Sequence, residues 1–157
     1  MVFFLFSNPT EMIPENNKPT TFFKFENLRI YYKAIDFADA ILALAGNCSS
    51  GNQTIQHFFN KFVDEAIYLV SSLTAESSSN KTLFINNLQN TKKSIRRCVV
   101  YNTLALKRDY IDEAQEADIR NELMELTKMV GALISSLQKL ETNPEGNEWW
   151  LHGRSFN

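Results

Sequence analysis

A chain of 157 residues, 44% hydrophobic and 22% charged, has the composition and length of one folded domain, which excludes a disordered tail and a disulfide-dependent miniprotein. Sixteen Lys and Arg against eighteen Asp and Glu leave a formal charge of -2. No overall basic field therefore draws in a nucleic acid, and such a partner has to be met by a local patch.

The first residues, Met1-Val-Phe-Phe-Leu-Phe6, lack a charged n-region, and their apolar run ends at Ser7-Asn8-Pro9. They read as no export signal. No stretch reaches the roughly 18 apolar residues of a membrane span, so no membrane partner is expected and the chain reads as cytoplasmic. Cys48 and Cys98 suit neither a disulfide framework nor a zinc site and read as free thiols of that compartment.

The prolines stand at 9, 14, 19 and 144, which leaves residues 25–141 open to nearly continuous helix. The spacing predicts a first helix with Leu28, Tyr31, Ile35, Ala38, Leu42 and Ala45 on one stripe, widened by Ile30, Ala34, Phe37, Ile41 and Leu44, and capped at Gly46. After the loop Asn47–Asn52, a second helix carries Ile55, Phe59, Phe62, Ala66, Leu69 and Leu73. Candidate caps in Ser77-Ser-Ser-Asn80 precede a third helix over 82–107, with Phe84, Leu88, Ile95, Cys98 and Ala105 on one side and Asn102 on that face too. The fourth opens near Asp112 with Gln115 at capping-box spacing, on a seam of Ile119, Leu123, Leu126, Val130, Leu133, Leu137 and Leu140.

Four such helices without a strand pattern predict an all-α, antiparallel up-down-up-down four-helix bundle over residues 25–141, between an N-terminal flank 1–24 and a C-terminal flank 142–157. The flanks hold Phe3, Phe4, Phe6, Phe22, Phe23, Trp149, Trp150 and Phe156. That many aromatics imply either folding back on the bundle or contact with a partner.

Catalytic signatures are missing. There are two histidines, His57 and His152, and neither sits in a Glu-x-x-His pair or has an arginine within the six residues before it, which excludes a di-iron carboxylate centre and an Arg-then-His ribonuclease. No phosphate loop and no Ser-His-Asp or Cys-His arrangement can be assembled. The expectation is a protein that is not an enzyme, with no catalytic residue, metal or cofactor.

Charge patterning is the informative feature. Between Ser77 and Arg108 stand Lys81, Lys92, Lys93, Arg96, Arg97, Lys107 and Arg108, and no acid. At ~100° per residue, Lys92, Lys93, Arg96, Arg97, Lys107 and Arg108 fall within an arc of about 160° on helix three, away from its apolar seam. Such a stripe is either a solvated face or a nucleic-acid-binding surface, and the lack of acids points to an anionic partner. Val100, Tyr101 and Leu104 project into the same arc; they are candidates for an oligomer interface, with accommodation inside one bundle as the alternative.

Phe25-Glu-Asn-Leu28-Arg-Ile-Tyr-Tyr-Lys-Ala34, Ala75-Glu76-Ser77 and Met129-Val-Gly-Ala-Leu-Ile-Ser-Ser-Leu137 resemble the bacterial four-helix-bundle family. That family includes proteins encoded in intervening sequences of ribosomal RNA genes and the accessory variability determinant of diversity-generating retroelements. The resemblance covers about residues 25–140. It implies a homo-oligomer, a pentamer in the accessory determinant, whose basic surface binds RNA or DNA and a reverse transcriptase. The family often has an arginine pair in helix two and glutamates in helix three, where this chain has Asp64-Glu65 and Arg96-Arg97. The exchanged signs imply a charge contact between those helices. The function expected is a non-catalytic oligomeric adaptor for nucleic acid and a reverse transcriptase; the alternative is a protein-only interaction bundle.

Overall fold

The structure, a computed structural model, describes residues 24–48, 51–74 and 80–139. A turn of 3-10 helix, Lys24–Asn27, leads into α1 (Arg29–Cys48), followed by α2 (Gln53–Thr74), α3 (Lys81–Lys107) and α4 (Glu113–Lys139). The described residues form an all-α four-helix bundle with no strand. Each helix packs on its neighbour in sequence, and α1 and α4 close the ring more loosely. The aromatic flanks fall outside the described residues, apart from residue 24 at their boundary.

Local chemistry sets the helix starts. Asn52 Oδ1 accepts from the backbone N–H of Thr54 at 2.9 Å and of Ile55 at 3.3 Å, and Asn80 Oδ1 accepts from Leu83 N–H at 3.1 Å. Both side chains satisfy donors that the first helical turn leaves orphaned. At α4 the expected capping box is present in full. Asp112 Oδ1 accepts from Gln115 N–H at 2.8 Å, and Gln115 Oε1 accepts from Asp112 N–H at 3.0 Å.

The turn between α3 and α4 is a Schellman closure. Tyr110 N–H donates to Ala105 O and Asp109 N–H to Leu106 O, each at 2.9 Å. Asp109 occupies the left-handed position, φ 56°, that glycine normally fills.

The core runs through Phe37, Phe59, Phe62, Leu69, Leu73, Leu88, Leu123, Leu126 and Val130, all fully buried. Burying a side chain of this kind contributes about 1.5–3 kcal/mol relative to leaving it in water. Three details differ from the sequence expectation. The helix α1 passes through Gly46 and ends at Cys48, because Ala45 is buried and Cys48 packs on the core, its Sγ 3.5 Å from Tyr110 O. Of the two α1 stripes, the one with Ile30, Ala34, Phe37, Ile41 and Leu44 is buried, whereas Ile35 and Leu42 stand exposed. A helix at the corner of a bundle can turn only part of its circumference inward. On α4, Ile134 rather than Leu133 continues the buried seam, since a 3.6-residue period drifts from a strict 3-4 alternation; Leu140 lies outside the described residues.

Polar contacts fix the register of the helices. Ser72 Oγ and Thr91 Oγ1 are 2.7 Å apart across α2 and α3. Between α3 and α4, Asn102 Nδ2 donates to Glu116 O at 2.9 Å and to Glu116 Oε1 at 3.1 Å. The guanidinium of Arg120 donates to the same carboxylate at 2.7 Å and to Thr103 Oγ1 at 3.1 Å. Lys33 Nζ reaches Glu125 Oε2 at 2.8 Å and ties α1 to α4. That contact raises the pKa of Lys33 and lowers that of Glu125. Partial burial pushes the neighbouring Glu122 carboxyl up.

Candidate nucleic-acid interface on the third helix

The inward face of α3 comprises Phe84, Leu88, Thr91, Ser94, Ile95, Cys98, Asn102 and Ala105. Helical geometry then turns Lys93, Arg96, Val100, Leu104 and Lys107 directly outward. Those five are exposed, as are Arg97 and Arg108, while Lys92 is half-buried at the edge of the strip. Val100 is 56% and Leu104 41% exposed. The outer face of α3 is thus a strip of cations with two uncovered aliphatic side chains one turn apart and no acid on the helix.

The six cations are not equivalent. Arg97 Nε lies 2.8 Å from Glu65 Oε1 on α2, and its guanidinium stands over the Tyr68 ring at 5.7 Å. Lys93 Nζ lies 3.4 Å from Asn90 Oδ1 on its own helix. Lys92, Arg96, Lys107 and Arg108 make no ion pair among the described residues, and their charge faces solvent. The contact expected between the Arg96-Arg97 and Asp64-Glu65 pairs is therefore half made. Arg97 meets Glu65, whereas Asp64 lies 3.8 Å from Lys61 on its own helix and Arg96 turns away.

The three residues expected at an oligomer interface also divide. Tyr101 is half-buried inside one chain, its ring stacked on Phe62 (centroids 5.5 Å apart, planes at 17°) and edge-on to Phe58 at 5.6 Å. It belongs to the α2–α3 seam, about 100° around the helix from Val100. Of the three, Val100 and Leu104 are the ones left exposed among the described residues.

Beneath the strip, burial first and then the Glu65 charge push the Cys98 thiol up to about 12. It stays protonated, and a protonated thiol is neither a nucleophile nor a good metal ligand. Burial raises the Cys48 thiol as well. His57 is exposed on α2, and His152 lies outside the described residues. Among the described residues no three His, Cys, Asp or Glu side chains are grouped to hold a metal, and no helix is long and apolar enough to cross a membrane.

A second feature escaped the sequence pattern. A groove of about 450 Å³ opens between α1 and α2, lined by Ile35 and Leu42 on one side and Ile67 and Val70 on the other, with Phe25 and Tyr31 also in its lining. Ile35 and Leu42 keep the period of a buried stripe, so periodicity alone places them in the core. The one signal was that α1 carries more apolar residues than a single inward face can use. Comparison with protein-family models, with curated proteins and with solved structures gives no match to this chain.

Proposed function

We propose that this chain is a non-catalytic, self-associating adaptor that binds nucleic acid through the outer face of α3. The observation that carries the reading is the set Lys92, Arg96, Lys107 and Arg108: cations of one helix without an ion-pair partner among the described residues, in a stretch of chain free of acids. Phosphate contacts by such side chains need no groove-reading element and give sequence-tolerant binding. The resemblance to the accessory determinant of diversity-generating retroelements adds a reverse transcriptase as protein partner and a pentamer as the assembly; the cytoplasm as the setting follows from the sequence reading of no export signal.

The test is titration of single- and double-stranded oligonucleotides at several salt concentrations. Binding should weaken linearly in a log-log plot as counterions are released. Absence of binding at low salt, or binding indifferent to salt, removes this reading. Pull-down with a reverse transcriptase of a diversity-generating retroelement tests that partner separately.

A protein-only interaction bundle is the second reading. The commitment of Arg97 to Glu65 favours it, because that arginine has a structural role without any polyanion. On that reading the oligonucleotide titration is blank at every salt concentration.

A further inference from the structure

We propose that the outer face of α3 docks, through Val100 and Leu104, into the α1–α2 groove of a second copy of this chain. The inference rests on the self-association proposed above and names its two surfaces. Both are apolar, and no other described residue of the same chain covers Val100 and Leu104 or Leu42 and Ile67. Neither can cover the other there, because the helices are ringed in sequence order and the groove opens on the α1 side of α2.

Shape fits first. Ile35 to Leu42 spans about 10 Å of α1 at ~1.5 Å per residue, and Val100 to Leu104 about 6 Å of α3, so the two side chains enter the groove as a pair of adjacent knobs. Half-exposed Ile67 supplies the opposite wall.

Charge then selects between pairings. Two α3 strips face to face would set Lys93, Arg96 and Lys107 against their own kind, which opposes association. The groove carries Asp39 in its lining, with exposed Asp64, which also lies 3.8 Å from Lys61, one turn before Ile67. Cations around the knobs thus meet carboxylates around the groove. A contact between two different patches is heterologous, so in a pair one chain keeps a free groove and its partner a free knob face. It also draws on the cations that would hold a polyanion, so self-association and nucleic-acid binding compete for α3.

The experiment uses the full chain and two neutral variants, a knob variant (Val100→Gln with Leu104→Gln) and a groove variant (Leu42→Gln with Ile67→Asn), followed by sedimentation and light scattering. All four side chains are exposed, and far-ultraviolet circular dichroism checks the helices. Wild type should assemble, and each variant alone should run at the 18.1 kDa of one chain. An equimolar mixture should form a species of twice that mass that grows no further, because one intact knob face then meets one intact groove. The mixture also controls for folding, since each variant must supply a working half.

A monomeric wild type overturns the proposal; this is also the result if the chain's own terminal residues fill the groove. So does a mixture that stays monomeric, or a knob variant that still assembles by itself. In a second arm, single-stranded oligothymidylate at low salt should dissolve the wild-type assembly into complexes of single chains. An assembly that keeps its subunit number when saturated with oligonucleotide overturns the shared surface. If the mixture pairs but the knob variant, with every cation intact, fails to bind oligonucleotide, the nucleic-acid reading falls and the docking stands.

Discussion

Arg97 Nε lies 2.8 Å from Glu65 Oε1, and this pair is a charged link between α2 and α3. Glu65 is the more buried partner, its side chain 16% exposed against 49% for Arg97. It also accepts a hydrogen bond from Ser94, whose hydroxyl lies 3.0 Å from the Glu65 carbonyl as well. A carboxylate so enclosed needs its donors, because an unpaired buried charge costs more than the pair contributes.

Urea denaturation of Arg97→Ala, Glu65→Gln and the double variant should therefore show coupling. A half-exposed pair gives about 0.2–1 kcal/mol in such a cycle. Arg97→Glu should destabilise the bundle and Arg96→Glu should leave it unchanged. Equal losses from the two arginines would mean that Arg96, not only Arg97, is tied to α2.

The same asymmetry should separate the arginines in nucleic-acid binding. Arg96→Gln, Lys107→Gln and Arg108→Gln should each lower the salt slope by roughly 1, the loss of one phosphate contact. Arg97→Gln should lower it less, since that guanidinium already has a carboxylate. A larger effect of Arg97 than of Arg96, at unchanged stability, would show that the Glu65 pair opens in the complex.

Asp109 holds φ 56° at the end of α3, a conformation that costs most L-residues roughly 1–2 kcal/mol and glycine nothing. Part of that saving is offset by the greater freedom of glycine in the unfolded chain. Asp109→Gly should stabilise the bundle by up to about 1 kcal/mol, read as a rise in thermal midpoint. Asp109→Val, β-branched and intolerant of this region, should lower the midpoint. A glycine variant less stable than wild type would mean that the Asp109 carboxylate, not its backbone, matters at this turn.

Cys98 supplies a pH prediction. Its folded-state pKa, pushed up to about 12, lies above the ordinary 9.0. The unfolded chain therefore loses this proton first as pH rises. The contribution is fully present below pH 9.0, declines between 9.0 and about 12, and reaches a slope of at most about 1.4 kcal/mol per pH unit. Cys98→Ala should flatten the alkaline limb of the stability curve, at the cost of a small cavity. Native Cys98 should resist thiol reagents at pH 8 that modify the unfolded chain; rapid labelling in the native state would contradict its burial.

The bundle was legible in the sequence because its determinants are local. Asp112 and Gln115 bond within one turn, Asn80 caps its own helix, and the seams of α2 and α3 appear as a period that any inward-facing helix must show. The basic arc of α3 was legible for the same reason, since a known period places each residue around one axis. What periodicity cannot state is which of two adjacent arcs faces the core. Ile35 and Leu42 keep the spacing of buried residues yet line an open groove, and Tyr101, placed among exposed residues by angle, is long enough to lean into the α2–α3 seam. The division between Arg96 and Arg97 is a tertiary decision too. Neighbours in sequence stand about 100° apart on a helix, so only the position of α2 determines that one arginine meets a carboxylate and the other faces water.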